Sequence, residues 1–287
     1  MTYDYIIIGA GVVGTAIARE LMKYDVRALM LEKENDVCNH ASLANSAIVH
    51  SGHDPKPGTL KAKLNVEGNK LYEELEDVLD LPLLKNGALM VATSEEENAT
   101  LEKLYEQAVE NGVGGVSFLG REEALEREPN LNPKVTMALD LPTTKVTYPW
   151  EVTLANAENA IDNGLEFQKS TEVTNIEKID GIFIVTTSNG KTYKTQSIIN
   201  AAGAFTGKIA AMVETNTDYK ITPRRGEYFV IDRLKYGASS RFSDIIIENY
   251  DFMVTKPAPV CSVLIPLCAN FSSLFLNNSF GLSGFGS

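Results

Sequence analysis

Along the first third of the chain the spacing of apolar residues changes in a way that separates strands from helices. Tyr3 to Ile8 is a short β-rich apolar run, Val12 to Lys23 carries apolar and small residues at helical spacing, and Arg27 to Leu31 is apolar again, closing at Glu32. That order predicts a strand, a helix and a second strand, a βαβ unit. From Asn35 to Gly58 the chain is rich in Asn, Ser, His and Gly, a loop broken by the apolar trio Ala47, Ile48 and Val49. Helical spacing returns from Leu60 to Leu79, and Gly87 to Thr93 reads as a strand. Ser94 with Glu97 forms a capping box for a helix ending at Asn111 and Gly112, and Glu122 to Glu128 is a shorter helix stopped by Pro129.

A long helix is predicted from Pro149 to Asp162, ended by Asn163 and Gly164, after which the period becomes alternating. Val173 to Lys178, Ile182 to Thr187 and Lys191 to Gln196 are separated by Asp180-Gly181 and Asn189-Gly190, strong hairpin signals, so a three-stranded meander is expected. It runs into an apolar strand, Ser197 to Asn200, and then Ala201, Ala202, Gly203 and Ala204, small residues that let a backbone approach something closely. No internal repeat is visible.

Length and composition narrow the class. A chain of 287 residues with 44% hydrophobic and 22% charged positions is an ordinary globular protein of one large or two smaller domains. Lys and Arg number 26 against 38 Asp and Glu, a net charge of -12 that repels a phosphate backbone, so no nucleic-acid partner is expected. Cys38, Cys261 and Cys268 cannot all pair, and no basic leader precedes the first apolar run, which points to a reducing, cytoplasmic setting. Asp4, the glycines within that run and the closing Arg19 and Glu20 argue against a signal peptide.

Gly9, Gly11 and Gly14 spell GxGxxG at the junction of the first strand and helix, where such a motif lets a helix N-terminus face a pyrophosphate. Glu32 ends the second strand, placed for ribose hydroxyls and unfavourable to a 2′-phosphate. A glycine-rich turn that only packs helix on strand is the plainer alternative. The βαβ unit with a meander far downstream suggests a flavoprotein.

Tyr5 to Gly11, Leu31 to Lys33, Asn45 to Gly52, Pro57 to Ala62 and Asn200 to Gly203, continuing through Pro223 to Phe229, together resemble the FAD-dependent oxidoreductases of the D-amino acid oxidase type. Within them the chain is most similar to anaerobic glycerol-3-phosphate dehydrogenases and L-2-hydroxyglutarate oxidases, over roughly its first four fifths. The resemblance implies an α/β fold: a Rossmann-like FAD-binding domain with a three-stranded β-meander, residues 1–80 and 149–215, plus a mixed-sheet substrate domain, residues 81–148 and 216–256. It implies FAD as cofactor, with Gly9, Gly11 and Gly14 at the pyrophosphate, Glu32 at the adenosine ribose and Lys33 flanking it. Asn45 and Ser46 match the second phosphate and flavin loop, Val173 the residue whose main chain meets adenine, and Gly203 the second dinucleotide motif.

His40, His50 and His53 fall within 14 residues beside Cys38, but the zinc-like spacing lacks a second cysteine, and no metal is expected. His40 lies among Asn39, Ser42 and Asn45, which can satisfy it without chemistry. His50 matches a histidine that the family sets beside the flavin ring, where a base of near-neutral pKa suits removal of an alcohol proton; packing against the flavin edge is the alternative. Arg225, beside Arg224, can clamp a phosphate or carboxylate, or be an ordinary surface arginine.

After Lys256 the last 31 residues carry no Asp, Glu, Lys, Arg or His. Independent draws at the chain's composition would give such a run about once in two thousand. Residues 257–287 are therefore expected to form an atypical tail adding no strand, from truncation or an altered reading frame, and membrane association is expected to be peripheral at most. The expected function is oxidation of a small anionic secondary alcohol by hydride transfer to flavin, with glycerol 3-phosphate favoured and L-2-hydroxyglutarate the alternative. The electron acceptor is left open. A non-catalytic fragment and an NAD-dependent enzyme are the readings from other classes.

Overall fold

The computed structural model describes residues 1–129, 131–213, 221–222 and the backbone of 263–266. In chain order the strands and α-helices are β1 (Thr2–Ile8), α1 (Val12–Leu21), β2 (Ala28–Leu31), β3 (Ile48–Val49), α2 (Leu60–Leu79), β4 (Leu83–Leu84) and β5 (Ala88–Ala92). Then come α3 (Glu95–Glu110), β6 (Ser117–Gly120), α4 (Arg121–Arg127), β7 (Met137–Leu141), β8 (Lys145–Thr147), α5 (Pro149–Asp162) and β9 (Glu166–Gln168). The last are β10 (Val173–Ile179), β11 (Ile182–Thr187), β12 (Thr192–Asn200), α6 (Thr206–Val213) and β13 (Val263–Pro266).

The described residues divide into two compact units, the first built from 1–47, 77–81, 148–213 and 221–222. Its sheet has the order β10-β11-β12-β1-β2-β9, with β1, β2, β9 and β12 parallel and the meander antiparallel. All four residues of β2 are buried, as a strand covered on both faces requires. Alternation along β1 sends Ile6 and Ile8 into one cluster with Leu29 and Leu31 of β2, Val173 and Ile176 of β10, Val185 of β11 and Ile209 of α6. Ile7 points the other way, to Ala10, Ala18, Met30 and Ala160, where α1 and α5 cover the sheet.

Two sequence readings change here. The third meander strand and the apolar strand after it are one continuous β12: Thr192 to Thr195 pair antiparallel with β11, while Lys194 to Asn200 pair in parallel with β1. The two hairpins also differ. Asp180 and Gly181 both have positive φ, a two-residue turn, whereas at Asn189-Gly190 only Gly190 does, and Thr187 pairs with Lys191 across a three-residue loop.

The second unit comprises, among the described residues, 48–76, 82–129, 131–147 and 263–266. Residues 48–76 thus pack with it, not with the dinucleotide domain as the boundary at residue 80 supposed, because β3 pairs with β8 and Asn69 of α2 bonds to Val49 and Thr143. Among the described residues this unit has two sheets, β13-β5-β7-β6 and β3-β8-β4, whose pairings are antiparallel. Only half of the expected capping box forms: Ser94 Oγ accepts from Glu97 N–H at 3.3 Å, while Glu97 Oε2 accepts from the N–H of Thr93, one residue before the cap, at 2.6 Å. The expectation that the tail adds no strand fails at residues 263–266, which pair with Ala88 to Val91 on the edge of β5. Val, Leu and Ile suit a strand, and the proline falls at its end, where an edge tolerates a missing N–H.

Candidate functional site

The βαβ turn of the first unit is built around two close backbone approaches. Gly9 has φ +104, and a Cβ there would lie 2.5 Å from the Ala201 carbonyl oxygen. A Cβ on Gly14 would lie 2.0 Å from the Gly9 carbonyl oxygen, so only glycine lets α1 start against the end of β1. The small residues after β12 therefore approach the glycine loop itself, with Ala201 N–H bonding to Ile8 O at 2.9 Å. Gly11 differs: its backbone is ordinary, and a Cβ would meet only the Ser42 hydroxyl, at 2.9 Å.

Glu32 lies buried at the end of β2, and its carboxylate joins the loop to the strand. Oε2 accepts from Ala10 N–H at 2.7 Å and Oε1 from Glu34 N–H at 2.9 Å. Each oxygen keeps a further lone pair for a ribose hydroxyl. Its main-chain oxygen accepts from Thr171 N–H at 2.7 Å, which brings the segment before β10 to the same place. Lys33 sits 3.9 Å above the Phe205 ring and 3.1 Å from Glu34, and the Glu34 carboxyl is held below its usual pKa by His40 and Lys33.

The loop after β2 is strained, since Cys38, His40 and Ala47 all have φ between 61 and 66. Left-handed backbone at such residues costs of order 1–3 kcal/mol each and marks functional loops. Ser42 Oγ accepts from Val12 N–H at 3.0 Å, capping α1 from this loop. Asn45 spends its side chain on the loop, donating to Ala41 and Ser42 carbonyls and accepting from Ala47 N–H, with Ser46 half-buried beside it. His40 pairs with Glu34, 2.9 Å away, not with the neighbours expected from sequence. Burial pushes the Cys38 thiol pKa up. Val173 opens β10 with its side chain in the core, and Gly203 has φ +55 with open space around it. Among the described residues no cluster of His, Cys, Asp and Glu is arranged to hold a metal.

These features fit a dinucleotide. α1 has no acidic residue in its first turn to compete with phosphate, and first-turn amides lack partners in their own helix. Gly9, Gly11, Gly14, Glu32 and Lys33 come together as the sequence expected. Ser42 was missed, its only signal being a hydroxyl in a polar loop.

His50 belongs to the second unit, just after β3. Its ring reaches solvent yet is crowded by protein, and burial lowers its pKa from 6.5, with Asp54 opposing and Lys61 assisting. His53 is buried, with Nδ1 3.0 Å from Ser51 Oγ, and its pKa is pushed down to about 4 by burial and by His50. Side-chain amides hold this loop: Gln107 donates to His53 and Asp54 carbonyls, and Asn111 to those of Gly52 and Pro55. Arg225 lies outside the described residues.

A glycine-cradled βαβ turn, an acidic ribose position and a meander define a flavin-type dinucleotide fold, and the chain belongs to the FAD dependent oxidoreductase family, whose model matches residues 4–258. The family is FAD-dependent. The chain is 47% identical over 232 residues to a glycerol 3-phosphate dehydrogenase of Caloramator mitchellensis, covering 80% of this chain and 48% of that protein. It is 33% identical to the mitochondrial L-2-hydroxyglutarate dehydrogenase of Mus musculus, covering 78% of this chain and 51% of that one. Among solved structures it superposes with TM-score 0.71 on the dithionite-reduced, FAD-bound L-α-glycerophosphate oxidase of Mycoplasma pneumoniae, at 34% identity over 74% of this chain and 57% of that one. The chain thus spans about half the length of these relatives.

Proposed function

We propose that this chain carries the FAD-binding and proton-accepting parts of an enzyme that oxidises glycerol 3-phosphate at its secondary hydroxyl. The observation that carries the choice of substrate is the 47% identity to a glycerol 3-phosphate dehydrogenase, against 33% to an L-2-hydroxyglutarate dehydrogenase. Gly9, Gly11 and the N-terminus of α1 would hold the pyrophosphate, and Glu32 with Lys33 the adenosine ribose. When bound, FAD supplies the acceptor for the hydride from the carbinol carbon. His50 takes the hydroxyl proton on its neutral imidazole as that hydride leaves, and its lowered pKa keeps the ring neutral and ready at physiological pH. Among the described residues no helix is long and apolar enough to cross a membrane.

The second reading, L-2-hydroxyglutarate, shares the same chemistry at the carbinol and differs in the anion recognised. Anaerobic mixing of the FAD-loaded chain with each compound separates them. Faster bleaching of flavin absorbance by glycerol 3-phosphate supports the proposal; faster bleaching by L-2-hydroxyglutarate overturns it.

A further inference from the structure

His50 follows a strand of two residues, too short to fix its own backbone, and the side chains beneath it supply what the strand lacks. Asn69 of α2 is buried, and its Nδ2 donates to the carbonyls of Val49 (3.4 Å), His50 (3.1 Å) and Thr143 (2.9 Å). An amide can turn over with little change of shape, so something must decide which end faces those oxygens. Lys145 decides it. Its ammonium, on a side chain only 3% exposed, lies 2.6 Å from Asn69 Oδ1, 3.3 Å from the Asn69 main-chain oxygen, 3.1 Å from Thr143 O and 2.9 Å from Glu73 Oε1. A cation beside Oδ1 forces the N–H groups toward the backbone of His50. Glu73 balances the charge, and Lys145 in turn holds its carboxyl below the usual pKa.

A lysine and an asparagine buried under a short strand add little net stability, because well-packed apolar side chains often serve as well or better. What such a network supplies is a single arrangement. Resting on the reading of His50 as the proton acceptor, we propose that Asn69 is a positioning residue for His50, oriented by Lys145. The catalytic group is the imidazole; Asn69 and Lys145 act through the main chain that carries it. A base displaced by about 1 Å can lose a factor of roughly 10² in rate.

The test is a proton NMR titration of the histidine rings in the full chain, which has three histidines, with His50 assigned from its loss in His50→Gln. The charged and titratable groups acting on His50 are Asp54, Lys61 and His53, and the neutral exchange Asn69→Ala alters none of them. In Asn69→Ala the His50 titration should move up toward 6.5 as the ring gains solvent. His53, whose carbonyl is held by Gln107, should stay at about 4. Asn69→Ser keeps an acceptor for Lys145 but is too short to reach the strand, so it carries the same expectation should the alanine variant not fold. In FAD-loaded protein, substrate-driven flavin reduction should slow roughly 10- to 100-fold with FAD affinity unchanged. An unmoved His50 titration in either folded variant, whatever the loss of thermal stability, overturns the positioning role. An unchanged flavin reduction rate in His50→Gln would instead remove His50 as the base, a separate outcome that leaves the titration result to stand on its own.

Discussion

Replacing Gly14 by alanine should damage the first unit itself, whereas replacing Gly11 should damage chiefly its hold on the dinucleotide. At Gly14 a Cβ would sit 2.0 Å from the Gly9 carbonyl oxygen and 3.3 Å from Ala201 Cβ. An unstrained carbon-to-oxygen approach is about 3.3 Å, so the start of α1 must withdraw by roughly 1 Å. Thr15 and Ala18, both fully buried, move with it and lose part of their packing. Overpacking of this kind costs about 1–3 kcal/mol, and contact with backbone puts it at the upper end. About 3 kcal/mol raises the unfolding constant roughly 100-fold and lowers the melting temperature of a domain this size by about 10 °C. At Gly11 the added methyl meets only the Ser42 side chain; turning that hydroxyl aside gives up its bond to Val12 N–H, and alanine is a poorer N-cap than glycine, a loss of about 1 kcal/mol that leaves the packing of α1 in place. Circular dichroism melts and FAD fluorescence titrations of both variants decide the matter. Gly11→Ala should melt within about 4 °C of the parent and lose FAD affinity at least about ten-fold, as expected if the second glycine of the motif is what lets the backbone approach a pyrophosphate. Equal melting temperatures for Gly14→Ala and the parent, or equal losses in the two variants, would refute the assignment.

Three further outcomes follow from the same contacts. As a base that must be neutral, His50 should make kcat/KM rise with pH through a pKa below 6.5 and level off above it, and His50→Ala should slow flavin reduction by roughly 10² to 10⁴ with FAD retained; a pH-independent rate would point to another group. His53 has a folded pKa of about 4 against 6.5 unfolded, so the unfolded chain binds the extra proton between those values. Its contribution to stability is therefore complete above pH 6.5 and lost as pH falls toward 4, roughly 3 kcal/mol in all, and urea melts of His53→Gln should lack that acid slope. Glu32→Gln replaces an acceptor of two main-chain N–H groups with an amide that can serve only one, and should weaken FAD binding roughly 10- to 100-fold by titration; unchanged affinity would show that the carboxylate serves the fold alone.

The dinucleotide half was legible because its signals are local and steric. Three glycines at fixed spacing, a change of period and an acidic strand end all follow from contacts within a few residues, and the structure places them as expected. The elements that escaped depend on partners distant in the chain. Met137–Leu141 is a fully paired strand interrupted by a buried aspartate, Asp140, which is tolerated because Arg127 reaches it at 2.7 Å. Strand β12 looked like two segments because its pattern changes where it gains β1 as a second neighbour. Lys145 reads as an ordinary polar residue in a β-prone stretch until α2 brings Asn69 and Glu73 to it. His40 was assigned partners among its neighbours, and the strained backbone turned it to Glu34 instead.

The most direct test of the central claim is an absorbance and fluorescence titration of the purified full-length chain with FAD, alongside NAD and NADP. The glycine cradle and the Glu32 carboxylate predict saturable uptake of FAD with a perturbed flavin spectrum, weakened in Gly11→Ala, and no comparable uptake of NADP. A chain that leaves the flavin spectrum unperturbed at every concentration while binding NAD would contradict the account.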